Sequence, residues 1–274
     1  MLGLPVSAGA LRKLLQEIAR SGSGEHVLSV GGASEHAHLL RQQLLRGRAE
    51  PRAVRLGGPE GAAAYVHVLA GEPGDEDIVV LRRARRAAVS VITVAVGVAR
   101  DSAIPYVLAT DVVWVGAGEA FPLETIARAI AARLGEHGAP LAARVPLLRE
   151  AVSEQLVAAF ARKNGLLAAA TWIPGADLPV LALNQFRLVL RLAQVYGAAD
   201  DPPERLPELA ATLGAGFGLR ALARQAVCLV PGAGRPVRVA VAYAGTRALG
   251  EAARLRFELA STPPQPAGAA RAAP

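Results

Sequence analysis

The pattern Pro-Gly-Ala-x-x-Pro occurs twice, 57 residues apart, as Pro174-Gly175-Ala176-Asp177-Leu178-Pro179 and as Pro231-Gly232-Ala233-Gly234-Arg235-Pro236. Proline removes a backbone donor and glycine is costly inside a helix, so each copy breaks a helix. The second proline of each copy suits the first turn of the helix that follows. Apolar segments at helical spacing surround both copies: Val152 to Ala170, Leu178 to Tyr196, Leu206 to Leu229 and Val237 to Phe257. The C-terminal half is therefore predicted to be an all-α domain over residues 146–260 with two Pro-Gly breaks. Residues 261–274 (STPPQPAGAARAAP) offer almost nothing to bury and predict a disordered tail.

The N-terminal half reads differently. Leu11, Leu14, Leu15 and Ile18 lie on one face of a first helix over Ala8 to Ala19. A short strand, His26 to Val30, runs into Gly31-Gly32 and then a helix to about Arg46. Ala53 to Leu56 and Tyr65 to Leu69 read as strands, and the turn-rich Gly57-Gly58-Pro59-Glu60-Gly61 between them suits a hairpin. Asp75 is placed to cap a helix through Arg86. Ala88 to Val96 (AVSVITVAV) is a β-branched run of the kind buried on both faces of a parallel sheet. Ile104 to Ala109 predicts another strand and Phe121 to Leu134 a helix. Alternating strands and helices predict an α/β domain with a mostly parallel sheet over residues 1–140. Gly135 to Pro146 has the composition of a linker to the helical domain.

Apolar residues are 52% of the chain and charged residues 19%, enough to bury a sizeable core, while aromatics at 4% leave few platforms for stacking on bases. The net charge of +7 is carried by arginine, since Lys13 and Lys163 are the only lysines. Charge of this kind bears on association rather than fold. Without a recognition helix or an aromatic platform, nucleic acid is the least expected partner. Cys228 stands alone, which rules out a disulfide within the chain and a cysteine metal cluster. Met1 to Ala10 lacks a basic segment followed by an apolar core, so a cytoplasmic protein is expected. Gly165 to Leu183 approaches the length of a bilayer span, but Asp177 at its middle would cost about 2.5–3.5 kcal/mol. A helical hairpin lying on the inner face of the cell membrane stays open as an alternative to a soluble bundle.

The order strand, glycine turn, helix, hairpin, helix, strand, strand, helix over residues 25–136 resembles that of a small GTPase-type domain. The motifs of such a domain are missing. In a phosphate loop counted from Gly31, the second glycine falls on His36, the lysine on Ala37 and the hydroxyl on His38. Gly71-Glu72-Pro73-Gly74 stands where Asp-x-x-Gly would reach magnesium. Gly97-Val98-Ala99-Arg100-Asp101 stands where Asn-Lys-x-Asp would read guanine. The resemblance implies a degenerate, non-catalytic relative with no cofactor.

The helical half is more specific. Ile173-Pro174-Gly175-Ala176-Asp177-Leu178, Asn184-Gln185, Tyr196-Gly197, Val230-Pro231-Gly232 and Gly250 together resemble the YcjF-like, GTPase-associated domain of unknown function, over about residues 150–258. That resemblance implies an accessory helical domain beside a nucleotide switch, some of its members being membrane-associated. No catalytic, cofactor or metal residue follows from it. Pro174, Gly175, Asp177, Gln185, Pro231 and Gly232 are the structural or partner-contact candidates. Asp177 is expected to cap the next helix, worth about 1 kcal/mol, or alternatively to grip Arg187 or Arg191. Gln185 is expected to make an interhelical hydrogen bond. His36 and His38, two apart on a helix, point apart and predict no metal site with His26. Arg82 to Arg86 reads as a solvated helix face. The function these readings predict is a non-catalytic binding or scaffold protein that docks a partner protein or a membrane surface. The alternative is a nucleotide-binding switch that uses Gly31-Gly32 and the dipole of the following helix.

Overall fold

A computed structural model describes residues 8–170, 178–198 and 235–261. The first helix, α1 (Ala8–Gly22), leads to β1 (Leu28–Gly32), α2 (Ser34–Leu44), β2 (Val54–Leu56), β3 (Ala64–Ala70), α3 (Asp75–Arg86) and β4 (Ser90–Val96). Then come β5 (Val112–Val115), α4 (Leu123–Leu134), α5 (Ala139–Arg144) and α6 (Arg149–Ala170). The last described helices are α7 (Leu178–Val195) and α8 (Arg235–Ser261). The result is an α/β unit with a parallel sheet, followed by a helical region.

The sheet has five strands in the order β2-β1-β3-β4-β5, all parallel. Its two faces follow from alternation. Leu28, Val30, Val66, Val68, Ile92, Val94, Val113 and Val115 point to one side, where α2 and α4 cover them. Leu69 and Ala95 point to the other, beneath Leu81 of α3 and Ile104 of the β4–β5 connection. Crossovers run in opposite directions from the β1/β3 boundary, so right-handed connections put α2 and α3 on opposite faces.

The hairpin expected between Ala53–Leu56 and Tyr65–Leu69 does not form. Both strands pair parallel to β1, one on each side: Leu28 stands opposite Val54 on one edge and Ala64 on the other. Residues 57–63 carry the chain back across β1, held by the Ala63 N–H on the Val27 carbonyl at 2.9 Å and by the Ser29 hydroxyl on the Gly58 carbonyl at 2.7 Å. A glycine-rich turn reverses the chain equally well with or without a strand in between, and only the distant partner decides. The hairpin step of the expected element order is therefore a crossover over β1. Ile104 to Ala109 also forms no strand. Pro105 lacks a donor, and Tyr106 adopts φ 67° and turns the chain, so the edge strand is Val112–Val115.

Gly135 to Pro146 is not a linker. Gly135–Gly138 is a 3-10 turn and Ala139–Arg144 a helix, with Leu141, Ala142 and Val145 fully buried. Its glycine and proline serve tight packing: a side chain at Gly138 would touch Leu134 and Val152 at 3.3 Å, and Pro140 fits the first turn of α5. Arg144 ties the segment to the sheet unit through Glu50 at 2.6 Å and the His26 carbonyl at 3.0 Å. That bond holds the Glu50 carboxyl below the usual range and raises the Arg144 guanidinium. The main core consequently runs without a break from Val30 through Ile130 and Leu148 to Phe160, Leu192 and Phe257.

In the helical region the second proline of each repeat lies where expected, Pro179 and Pro236 each being the second residue of its helix. Helix α8 packs closely on α6, because a side chain at Gly250 would fall 2.6 Å from Val157. Helix α1, expected in the N-terminal domain, rests on α7 instead, with Leu14 and Ile18 against Leu190. Among the described residues no helix is long and apolar enough to cross a membrane. The expected tail beyond Ser261 and the expected helix over Leu206 to Leu229 lie outside the described residues.

Candidate functional site

In a doubly wound sheet, ligands bind beyond the carboxyl ends of the strands where the crossovers diverge, here between β1 and β3. The β1–α2 connection at this point is one residue, Ala33. Its N–H donates to the Val68 carbonyl at 2.8 Å, which sutures the turn to β3. Gly32 adopts φ 94°, and a side chain there would meet the Val68 carbonyl oxygen at 2.1 Å. Gly31 is enclosed as tightly, with the Gly57 carbonyl and the Tyr65 hydroxyl each 2.6 Å from where a Cβ would stand. A phosphate-binding loop needs several unspent amides wrapped around the anion. This turn has given its one loop amide to the neighbouring strand.

Below the crevice lies a polar network on the α3 side of the sheet. Tyr65 and His67, two apart on β3, share that face, and each is 1% exposed. The Tyr65 hydroxyl is 2.9 Å from His67 Nδ1, and His67 Nε2 is 2.8 Å from Asp77 Oδ1. A carboxylate only accepts, so Nε2 carries the proton to Asp77 and Nδ1 accepts from Tyr65. The other oxygen of Asp77 accepts from the Gly74 N–H at 2.9 Å and closes the first turn of α3. Asp77, rather than Asp75, is thus the capping acid. Burial pushes the His67 imidazole toward its neutral form, against the pull of Asp77, and raises the Tyr65 phenol well above its ordinary value. Thr93 lies opposite His67 on β4, fully buried, with its hydroxyl unpaired.

The order Tyr–His–Asp has the form of a nucleophile, a base and an orienting acid. Its oxygen, however, lies close against the backbone of Gly31, and Tyr65 as a whole is buried. A His in a strand that otherwise reads Ala-Tyr-Val-x-Val-Leu-Ala, with an acid one helix turn into the following helix, was the signal available in the sequence. The histidines singled out there do other work. His38 Nδ1 is 2.8 Å from the Ser34 carbonyl, His26 Nε2 is 2.6 Å from the Ser21 carbonyl, and His36 stands edge-on to Phe121.

The helical region holds a second buried polar group. Asn164 of α6 donates to Thr246 of α8 at 2.8 Å and accepts from Asn184 of α7 at 2.9 Å, joining three helices. The interhelical bond expected of Gln185 is made by its neighbour Asn184, while Gln185 is half-buried beside it. The acid on Arg187 and Arg191 among the described residues is Glu17 of α1, which bonds Arg187 and lies 3.7 Å from Arg191. Pro174, Gly175, Asp177, Pro231 and Gly232 lie outside the described residues. Of the basic run, Arg82 stacks on Tyr106, Arg83 meets Glu60 at 3.2 Å, and Arg85 and Arg86 face solvent, as a solvated helix face should.

Comparison with protein-family models, with curated proteins and with solved structures returns no match to this chain.

Proposed function

We propose that this chain is a non-catalytic binding or scaffold protein, a degenerate nucleotide-domain relative joined to a YcjF-like helical region, that docks a partner protein or the inner face of a cell membrane. The observation that carries the reading is the close-packed β1–α2 turn, with Ala33 bonded to Val68 and no lysine in the turn or the first turns of α2 to hold a triphosphate. The burial of Tyr65, whose hydroxyl is engaged with His67, supports it as well. The His67–Asp77 pair then serves to fasten α3 to the sheet.

Calorimetric titration of the full chain with GTP and with ATP, each with magnesium, tests the reading. No heat of binding is expected, and micromolar affinity for either nucleotide would overturn it. Flotation with liposomes containing anionic lipid tests the membrane surface: a chain that rises with the vesicles docks on membrane, and one that stays at the bottom with all lipid mixtures overturns that version.

A further inference from the structure

In a parallel sheet all strands start at one end of the molecule, and the crossover helices finish there. The five strands here are parallel, which gathers the residues after α2 and α3 at the end where β2 and β4 begin. Arg46, Arg48 and Arg52 lie between α2 and β2, and Arg85 and Arg86 close α3 just before β4. All five are exposed, and none has an ion-pair partner among the described residues. Glu50, the one acid between Arg46 and Arg52, is already held by Arg144. Because α2 and α3 cover opposite faces of the sheet, these arginines stand on both sides of the strand starts and form a platform rather than a row.

The opposite end carries the other sign. Glu35 in the first turn of α2, Asp75 and Glu76 in that of α3, Glu72 after β3 and Glu119 after β5 are all exposed at the carboxyl ends of the strands. Arg100 is the one arginine in the loops that follow β3, β4 and β5. Each helix begins acidic and ends basic, as its own dipole favours, and the parallel order adds these charges into one separation along the sheet.

We infer that the arginine platform at the amino ends of the strands is the face that meets an anionic lipid bilayer, with the acidic end turned to water. Charge complementarity selects the sign of the partner, and the layout selects its shape. A planar surface engages arginines on both sides of the sheet at once, whereas an acidic peptide or a nucleic-acid strand follows a single row. A charged plane also orients a molecule whose two ends differ in sign. Its field reaches about a Debye length, roughly 8 Å at physiological salt, so arginines at different heights contribute without matched contacts. Each multiplies the partitioning about fivefold. The inference rests on the membrane version of the proposed function and names the face that serves it.

Partitioning of the full chain onto phosphatidylcholine vesicles with and without phosphatidylserine, at fixed salt, tests it. The parent should bind only the vesicles that contain phosphatidylserine. Arg48→Gln should lower the partition coefficient about fivefold, and Arg85→Gln with Arg86→Gln about 25-fold. Arg100→Gln makes the same change in net charge as Arg48→Gln at the opposite end and should leave binding unchanged. All four side chains are exposed, so the fold does not depend on them. If Arg100→Gln weakens binding as much as Arg48→Gln, or if the platform variants bind like the parent, the inference is overturned while membrane docking stands. If the parent stays off both kinds of vesicle, the membrane version of the proposed function fails and the inference with it. Binding of duplex DNA or polyglutamate through these arginines, with the vesicles left alone, overturns it as well.

Discussion

Replacing Gly32 by alanine probes the turn on which the functional reading depends. Gly32 holds φ 94°, where an L-residue is strained by roughly 1–2 kcal/mol. The added Cβ also lands 2.1 Å from the Val68 carbonyl oxygen, the acceptor of the Ala33 N–H. No contact that short survives, so the turn must move and lose that bond, worth about 1 kcal/mol net. The two effects sum to roughly 2–3 kcal/mol. At roughly 2–4 °C per kcal/mol for a domain of this size, the melting temperature should fall by about 4–12 °C in a calorimetric scan. Gly32→Asn divides the two causes, because asparagine tolerates positive φ while keeping the Cβ. It should recover part of the loss and never all of it. A Gly32→Ala chain that melts within about 2 °C of the parent would mean that the turn does not hold Gly32 at positive φ against the Val68 carbonyl, since strain and lost bond together predict at least about 4 °C. The main support for the proposed non-catalytic reading would go with it.

Thr93→Val removes a buried hydroxyl that has no partner and keeps its shape, so it should be neutral to stabilising by about 1 kcal/mol, read from the denaturant midpoint. His67 is held neutral by burial, its pKa lying below the unfolded value, so its contribution is present above pH of about 6.5 and is lost as pH falls toward the lowered value. Urea midpoints should therefore drop between pH 7.5 and 5.5, a window above the lowered range of Glu50, and a His67→Gln chain should show a flatter profile. Equal slopes for the two chains would assign the pH dependence elsewhere. Gly250→Ala drives a methyl group to 2.6 Å from Val157 between α6 and α8, and should cost about 1–3 kcal/mol by thermal melting. A silent substitution there would contradict the close helix approach.

Much of the fold was legible because its causes are local. The β-branched run through Ser90–Val96 and the apolar spacing in α4, α6 and α7 report burial on faces that the backbone period alone defines. Pro179 and Pro236 mark helix starts because a missing N–H costs nothing in a first turn. The site was less legible. Tyr65 and His67 share a face by period 2, which the sequence shows, but that both are buried and joined to Asp77 depends on how α3 packs on the sheet. The absence of a phosphate-loop lysine and hydroxyl could be read directly, whereas the spending of the Ala33 amide could not.

The sequence by itself determined most of the strands and helices, though not the turn at Ile104 to Ala109 or the helix Ala139–Arg144, and that the lysine of a phosphate loop is missing. Tertiary structure alone decided that β2 and β3 flank β1 rather than each other, that the segment from Gly138 to Val145 is packed into the core rather than a tether, and that Glu17 meets Arg187, 170 residues away. The physical reason is common to all three. A hydrogen-bond donor, an apolar side chain or a carboxylate declares what kind of partner it needs, but the identity of that partner is fixed only when the whole chain has closed around it.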